Sequence, residues 1–223
     1  MTVNDAAPKH RTSRRTGQRQ PPTLWMSEIL LIAGLTVLLF ACYELWGKTG
    51  ELNKAQDQLN NQLVREWQQP SPAGPAPHRQ NVTPGTPIAR LELPRLGLRW
   101  TVTEGVDKAT LKQGPGHYPG TQRPGETGNF AVAGHRTPGV FWDLEDMRPG
   151  DVITVEDRTS RYVYRVTHSE VVSPDDGDAL APVPDRPGAK PTVASLVLTT
   201  CNPKWDNYQR LVVESTLESK TPK

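Results

Sequence analysis

The sequence predicts a mainly β fold, a closed eight-stranded barrel with short helices, preceded by one N-terminal transmembrane helix. A long apolar run occurs near the N-terminus, at residues 24–46. From residue 88 onward, short segments of alternating polar and apolar residues recur between Gly, Pro, Asn and Asp. Seven or eight such strands with minor helices are typical of closed or nearly closed barrels.

The apolar run at residues 24–46 has the length and composition of a membrane-spanning helix. Its central part, residues 29–43, carries no charge, and about 20 apolar residues cross a bilayer. Trp25 and Tyr43 stand where aromatic side chains anchor a helix at the membrane surfaces. Residues 1–23 contain five Lys or Arg residues. This basic tail predicts a cytoplasmic N-terminus and a single pass, with the remainder of the chain extracellular.

Two alternative interpretations of the apolar run are a cleaved signal peptide and a buried helix of a soluble protein. The segment 39–42 resembles a lipoprotein processing site ending at Cys42, although Phe40 does not fit that pattern. Retention and processing therefore both stay open, and each anchors or exports the same C-terminal domain. The net charge of +2 gives the whole chain no bias toward nucleic acid.

Residues 47–87 predict a stalk and a linker. Leucines at near-helical spacing in residues 48–69 indicate a short helix. Residues 70–87 are rich in Pro, with Ala and Gly, and such a composition favours extended chain without a core. We expect this segment to act as a spacer before a folded domain at residues 88–218.

A thiol is predicted at the rim of that domain. The apolar strand 194–200 runs into Cys201, and Asn202-Pro203 prevents its continuation. Arg210 follows nine residues later and begins the next strand. If the two strands pair, Arg210 lies opposite or beside Cys201, where a guanidinium favours thiolate and can hold a developing oxyanion. Cys42 stands in the apolar run, so Cys201 is expected to be unpaired.

A thiol nucleophile also needs a residue that moves protons. His135 ends the short apolar strand 130–133 beside a glycine, so we expect it at the same kind of rim position as Cys201. His117, in a Gly-Pro loop, is the alternative candidate. His10 and His78 fall in the tail and the linker, and His168 falls inside a strand, which makes all three poor candidates.

Three motifs resemble those of the sortase family. The segment 196–210, with its Leu-Thr-Thr-Cys and distal Arg, resembles the signature around the sortase nucleophile, with Val197 where the family usually has Thr. Residues 128–136 resemble the segment that carries the sortase histidine. The loop 114–121, with Tyr118, is similar to that of class E sortases from high-GC Gram-positive bacteria. The motifs follow in the family's order over about residues 88–217.

This resemblance implies a sortase barrel and a cysteine transpeptidase of the peptidase class. Cys201 would attack the Thr carbonyl of a C-terminal sorting motif of the LPxTG or LAxTG kind and form a thioester. His135 would protonate the departing Gly amine and later take a proton from the acceptor amine. Arg210 would orient the substrate and stabilise the oxyanion.

The resemblance also implies the partners and the groove. Tyr118, Thr199 and Thr200 would line the substrate groove. The substrates would be secreted proteins that bear a sorting motif, and the acceptor would be a cell-wall peptide amine or a pilin lysine. We expect no cofactor, no metal, no nucleic acid and a monomer, held at the cell membrane by the N-terminal helix.

Alternatives from other functional classes are a hydrolytic cysteine protease and a non-catalytic, membrane-anchored binding module. A transpeptidase that joins peptide stems directly would show a Ser-x-Gly-Cys type segment, which is missing here.

Two other features have ordinary structural explanations. Arg136 is expected to be a solvated charge, and the acidic cluster 175–178 is expected to be a surface turn, since it lacks a distal Glu at calcium-loop spacing.

Overall fold

The computed structural model describes residues 22–69 and 82–223. Most of the basic tail, most of the predicted Pro-rich linker, and His10 and His78 lie outside these residues. The chain divides into two compact units, Met1–Gly47 and Lys48–Lys223.

A single helix, α1 (Pro22–Gln68), contains both the apolar run and the segment predicted as a stalk. Within it, Trp25–Tyr43 is long and apolar enough to cross a membrane, and its side chains are exposed. The helix ends shortly before Pro70, as expected because the residue before a proline is disfavoured in helical conformation. The predicted N-terminal apolar helix is thus present.

The second unit contains eight strands within residues 82–223, and they close into a barrel in the order β1-β2-β3-β4-β7-β8-β6-β5. This confirms the predicted closed eight-stranded fold. The helix α2 has one turn, Lys108–Leu111, and short 3-10 helices lie at Pro94–Leu96, Leu144–Asp146 and Asp178–Leu180. The strands are β1 (Pro87–Leu93), β2 (Leu98–Glu104), β3 (Gly116–His117), β4 (Gly128–Ala133), β5 (Val152–Glu156), β6 (Ser160–Val172), β7 (Ala194–Asn202) and β8 (Gln209–Pro222).

Two pairings bring the predicted site together. β4 and β7 run parallel, from Gly128 opposite Ala194 to Ala133 opposite Thr199. β7 and β8 form an antiparallel hairpin. β7 therefore lies between the strand that leads to His135 and β8, whose second residue is Arg210.

The two faces of β7 pack against different clusters. Leu196 and Leu198 belong to the main core inside the barrel, together with Phe130 and Val132 of β4. Val197 belongs to a smaller cluster with Ala179 of the β6–β7 loop. Because side chains alternate along a strand, the β6–β7 loop covers the outer face of β7.

The helical segment 48–68, predicted as a stalk, packs on the barrel of its own unit. Leu59 and Leu63 are buried there. The side-chain amide of Gln56 donates to the Thr101 carbonyl at 3.2 Å, and its oxygen accepts from the Thr101 N–H at 2.7 Å. Asn60 accepts a hydrogen bond of 2.7 Å from Arg90 on β1. These contacts make this part of the helix one layer of the folded unit.

Candidate active site

Cys201 and Arg210 are direct neighbours across the β7–β8 hairpin, where they form a register pair. The sequence predicts this arrangement if the two strands pair through their loop, and they do pair. Cys201 is a free cysteine with a partly exposed residue surface. A thiol at a strand end on the rim of a sheet is within reach of a substrate.

His135 lies at the same rim. The last register pair of β4 and β7 is Ala133 with Thr199, and the Gly134 N–H donates to the Thr199 carbonyl at 3.0 Å. His135 and Cys201 each lie two residues beyond this last pair. The His135 side chain is exposed and has no hydrogen-bond partner among the described residues. The fold thus brings the predicted nucleophile, the predicted proton carrier and Arg210 to one end of three adjacent strands.

The guanidinium of Arg210 is held by its own loop. Its Nη1 donates to the carbonyls of Asn207 and Gln209, both at 2.8 Å. Arg210 is partly exposed. These bonds limit the positions that the charged group can take beside Cys201, while leaving other N–H groups of the fork for a ligand.

The residues predicted to line the groove lie on different faces of β7. The Tyr118 hydroxyl lies 3.0 Å from the Thr199 Oγ1, and Tyr118 packs against the cluster on the outer face. By strand alternation Thr199 shares this face with Cys201. Thr200 is buried on the opposite face, where its hydroxyl donates to the Gly134 carbonyl at 2.8 Å. The structure therefore brings Tyr118 and Thr199 to the face of Cys201, but not Thr200.

His117, the alternative proton carrier, is enclosed. Its residue surface is 2% exposed, and its ring stacks on Phe130. Its Nδ1 lies 3.0 Å from the Glu104 carboxylate, and its Nε2 lies 3.0 Å from the Gln122 carbonyl. With both ring nitrogens engaged and no path to a substrate, His117 supports the loop that carries Tyr118 rather than the chemistry.

Arg136 is buried, although the sequence predicts a solvated charge at this position. Its residue surface is 7% exposed. Its guanidinium donates to the carbonyls of Cys201 and Trp142 and to Asn202 Oδ1, and it forms an ion pair of 2.5 Å with Glu145. The sequence signal that could have found it is its position next to His135.

The carboxylate partner of Arg136 is held in its charged form. Partial burial raises the pKa of Glu145. The Lys204 hydrogen bond and the Arg136 charge lower it by more, so the pKa lies below its ordinary value. The ammonium of Lys204 lies 2.7 Å from Glu145 and 3.0 Å from Asp143. The Glu145 carboxylate therefore links the Arg136 guanidinium, next to His135, to the Lys204 ammonium in the loop after Cys201.

One group of three carboxylates within the described ranges has the spacing of metal ligands. Glu170 on β6, Asp185 in the β6–β7 loop and Glu214 on β8 have carboxylate oxygens within 4.8 Å of one another. Burial and the neighbouring Asp185 raise the pKa of Glu214 to about 7. Glu214 pairs with Val197, four residues before Cys201, so this cluster is distinct from the rim site. The acidic segment 175–178 is an exposed turn, as predicted.

Comparison with known proteins decides the family. A model of the sortase domain matches residues 91–218, more than half of the chain. The chain belongs to the sortase family. This confirms the resemblance to the sortase family that the three motifs indicate.

The most similar proteins include class E sortases. Sortase SrtE1 of Streptomyces coelicolor is 30% identical over 221 residues, which cover 95% of this sortase and 61% of that protein. The chain thus spans about three fifths of that relative's length.

Solved sortase structures show the same fold. The structure of sortase E from Streptomyces avermitilis is 40% identical, with a TM-score of 0.56, over 63% of this sortase and 93% of that chain. Sortase E1 from S. coelicolor, solved with a tripeptide in the active site, is 32% identical, with a TM-score of 0.58, over 63% and 93%.

Proposed function

We propose that this sortase is a cell-surface transpeptidase that cleaves a sorting motif of the LPxTG or LAxTG kind between Thr and Gly and transfers the Thr to an amine. One observation carries the proposal: Cys201 pairs with Arg210, and His135 and Cys201 each lie two residues beyond the last register pair of β4 and β7. The sortase family supplies the reaction class.

The reaction has two acyl transfers through Cys201. Its sulfur attacks the carbonyl carbon of the motif Thr, and the new C–S bond forms as the C–N bond to Gly breaks. His135 gives a proton to the departing amine. An incoming amine then loses a proton to His135 and attacks the thioester, which forms a C–N bond and releases the Cys201 sulfur. Atoms and protons balance, and the enzyme returns to its starting state.

Arg210 stabilises the oxyanion of each tetrahedral intermediate. A preorganised donor lowers the barrier because it need not reorient as the charge develops. The hydrogen bonds of Arg210 to the Asn207 and Gln209 carbonyls supply this preorganisation. The exposed ring of His135 is free to meet the leaving and entering amines.

The groove for the sorting motif is formed by Tyr118 and Thr199, whose hydroxyls lie 3.0 Å apart on the Cys201 face. The S. coelicolor enzyme with a tripeptide in its active site supports peptide binding at this rim. Thr200 supports the site from the inner face of β7, because its hydroxyl binds the carbonyl of Gly134, the residue before His135.

The anchor fits an enzyme that acts on secreted proteins. The span Trp25–Tyr43 would cross the membrane once, with the basic tail in the cytoplasm and the barrel outside. The substrates are secreted chains with a sorting motif, and the acceptor is a cell-wall peptide amine or a pilin lysine. The enzyme acts as a monomer without a cofactor.

Ligation of a peptide to an amine tests this function. The full chain in detergent is incubated with a Leu-Ala-x-Thr-Gly peptide and a Gly or diaminopimelate-like amine, and the products are followed by mass spectrometry. We expect a Thr–amine product that disappears in Cys201→Ala and persists in Cys42→Ala, the matched control at the other cysteine.

The alternatives give different products. Cleavage by water alone under excess amine would indicate a hydrolytic cysteine protease. No product, together with a Cys201 that does not react with a thiol probe, would contradict the catalytic function and leave a membrane-anchored binding module on a sortase scaffold.

A further inference from the structure

Arg136 occupies an unusual place for an arginine. It follows His135 directly, and its residue surface is 7% exposed, whereas buried arginines are rare unless every donor is engaged. Its Nε donates to the Trp142 carbonyl at 3.1 Å. Its Nη2 pairs with Glu145 at 2.5 Å, and its Nη1 reaches the end of β7. Such a complete set of partners fixes the guanidinium in one position.

The contact with β7 is made at Cys201 itself. Nη1 of Arg136 donates to the backbone carbonyl of Cys201 and to the Asn202 Oδ1, both at 3.2 Å. Asn202 in turn donates to the Gln209 side chain at 3.0 Å, next to Arg210. The side chain next to His135 in sequence thus binds the backbone of Cys201.

The backbone ladder does not reach this far. The β4–β7 pairing ends at Ala133, and the Gly134 N–H makes its bond to Thr199. Among the described residues, Arg136 makes the hydrogen bonds that join the segment after Gly134 to Cys201 and Asn202. The spacing of His135 and Cys201 therefore depends on this side chain where strand pairing no longer sets it.

Glu145, the carboxylate partner of Arg136, makes a second contact with the loop after Cys201. Lys204, three residues after Cys201, binds the same Glu145 carboxylate at 2.7 Å. Its ammonium also lies 5.0 Å from the centre of the Trp142 ring. The alternation of Arg136, Glu145 and Lys204 closes a bridge between the two loops at the rim.

We propose that Arg136 is a positioning residue for the acyl transfer: it sets the separation of His135 and Cys201 by holding the Cys201 carbonyl. This inference rests on the proposed function. Arg136 is buried and its hydrogen bonds all go to protein groups, so it acts through its neighbours. Small displacements of reacting groups slow a reaction strongly, whereas the Tyr118 and Thr199 groove lies outside this bridge.

Steady-state kinetics of the full chain in detergent separate these effects. With a Leu-Ala-x-Thr-Gly peptide and an amine, we expect Arg136→Ala to lower kcat about 10- to 100-fold with KM changed less than about threefold. Arg136→Lys keeps one charged donor and should recover part of kcat. Arg90→Ala is the matched control, because Arg90 is also largely buried and binds a Glu and an Asn, but between β1, β5 and α1.

Three kinetic outcomes would overturn the positioning role: a folded Arg136→Ala with wild-type kcat, a change in KM alone, or an equal loss of kcat in Arg90→Ala. Circular dichroism reports folding for each variant. Should Arg136→Ala not fold, Arg136→Lys decides, and an unchanged kcat in that variant contradicts the proposal.

Cross-linking tests the spacing without any turnover. In a chain with His135→Cys and Cys42→Ala, a short bis-maleimide joins the thiols at positions 135 and 201 by addition of each thiol to one maleimide, and adding Arg136→Ala should slow this reaction severalfold. An unchanged rate would overturn the inference. Absence of peptide transfer by the wild-type chain would instead contradict the proposed function, so the two failures are distinguishable.

Discussion

The hydroxyl pair of Tyr118 and Thr199 joins the residue after β3 to β7, on the face of β7 that carries Cys201. A hydrogen bond of this kind contributes about 1 kcal/mol. We expect Tyr118→Phe and Thr199→Val each to lower kcat/KM for the sorting peptide about two- to fivefold, since each frees the other side chain to move in the groove.

The double variant distinguishes a shared contact from two separate ones. If the hydroxyls act together, Tyr118→Phe with Thr199→Val should cost little more than one substitution alone. Multiplied losses in the double variant would show that each hydroxyl meets the substrate independently.

Residue positions along strands followed from the sequence, while residue environments did not. Alternation and the break at Pro203 placed Cys201 at a strand end, and the hairpin then set Arg210 opposite it. The burial of Arg136 depends on partners up to 66 residues away, which no local pattern contains. The two faces of β7 likewise differ because the β6–β7 loop covers only one of them, and the sequence of β7 alone does not contain this contact.

At the scale of elements, the turn from β4 into the His135 segment depends on a glycine. A Cβ at Gly134 would lie 2.4 Å from the ring of Phe141, which is fully buried. Gly134→Ala should therefore displace that ring and lower the free energy of unfolding by about 1–3 kcal/mol. It should also lower kcat, because residue 134 joins Thr199 and Thr200 to His135.

Thermal unfolding and peptide turnover measure both effects. Gly177→Ala is the matched control, because a Cβ there meets nothing within 4 Å and the residue has an ordinary backbone conformation. A melting temperature of Gly134→Ala equal to that of the control would contradict the packing account.

The elements themselves were largely predictable, but their partners were not. The alternation of polar and apolar residues predicts β5 and β6 clearly. A strand is also predicted from Arg210 onward, and β8 includes it. The parallel pairing of β4 with β7 joins segments more than 60 residues apart, and local periodicity does not specify such pairs. For the same reason, leucines at helical spacing indicated a helix at residues 48–68 but not the barrel surface that it covers.

The carboxyl groups of Glu170 and Glu214, which lie beside Asp185, make the stability of the fold depend on pH. Burial and Asp185 raise the pKa of Glu214 from 4.5 to about 7. Burial and Asp185 also raise the pKa of Glu170, which faces His168 at 3.9 Å. A raised folded-state pKa means that the folded chain retains protons that the unfolded chain loses. The stabilisation is therefore complete at low pH and is lost as the pH rises from 4.5 toward about 7.

Replacing one of these carboxylates tests the sign. Glu214→Gln should raise the free energy of unfolding at pH 8 by about 1–2 kcal/mol, with little change at pH 4.5. Urea titrations at several pH values measure this, with Glu51→Gln, at an exposed helix position, as the control. A lower stability of Glu214→Gln at pH 8 would mean that the charge is compensated in the fold.

Closure of the barrel has a consequence for an enzyme that is proposed to act on secreted chains. Exposed sheet edges recruit extended polypeptides by strand addition, which leads to aggregation. Every strand of this sheet has a neighbour on each side, although β3 pairs with β2 and with β4 at only two positions each. Under the proposed function, selection among extended chains would therefore depend mainly on their side chains rather than on strand addition.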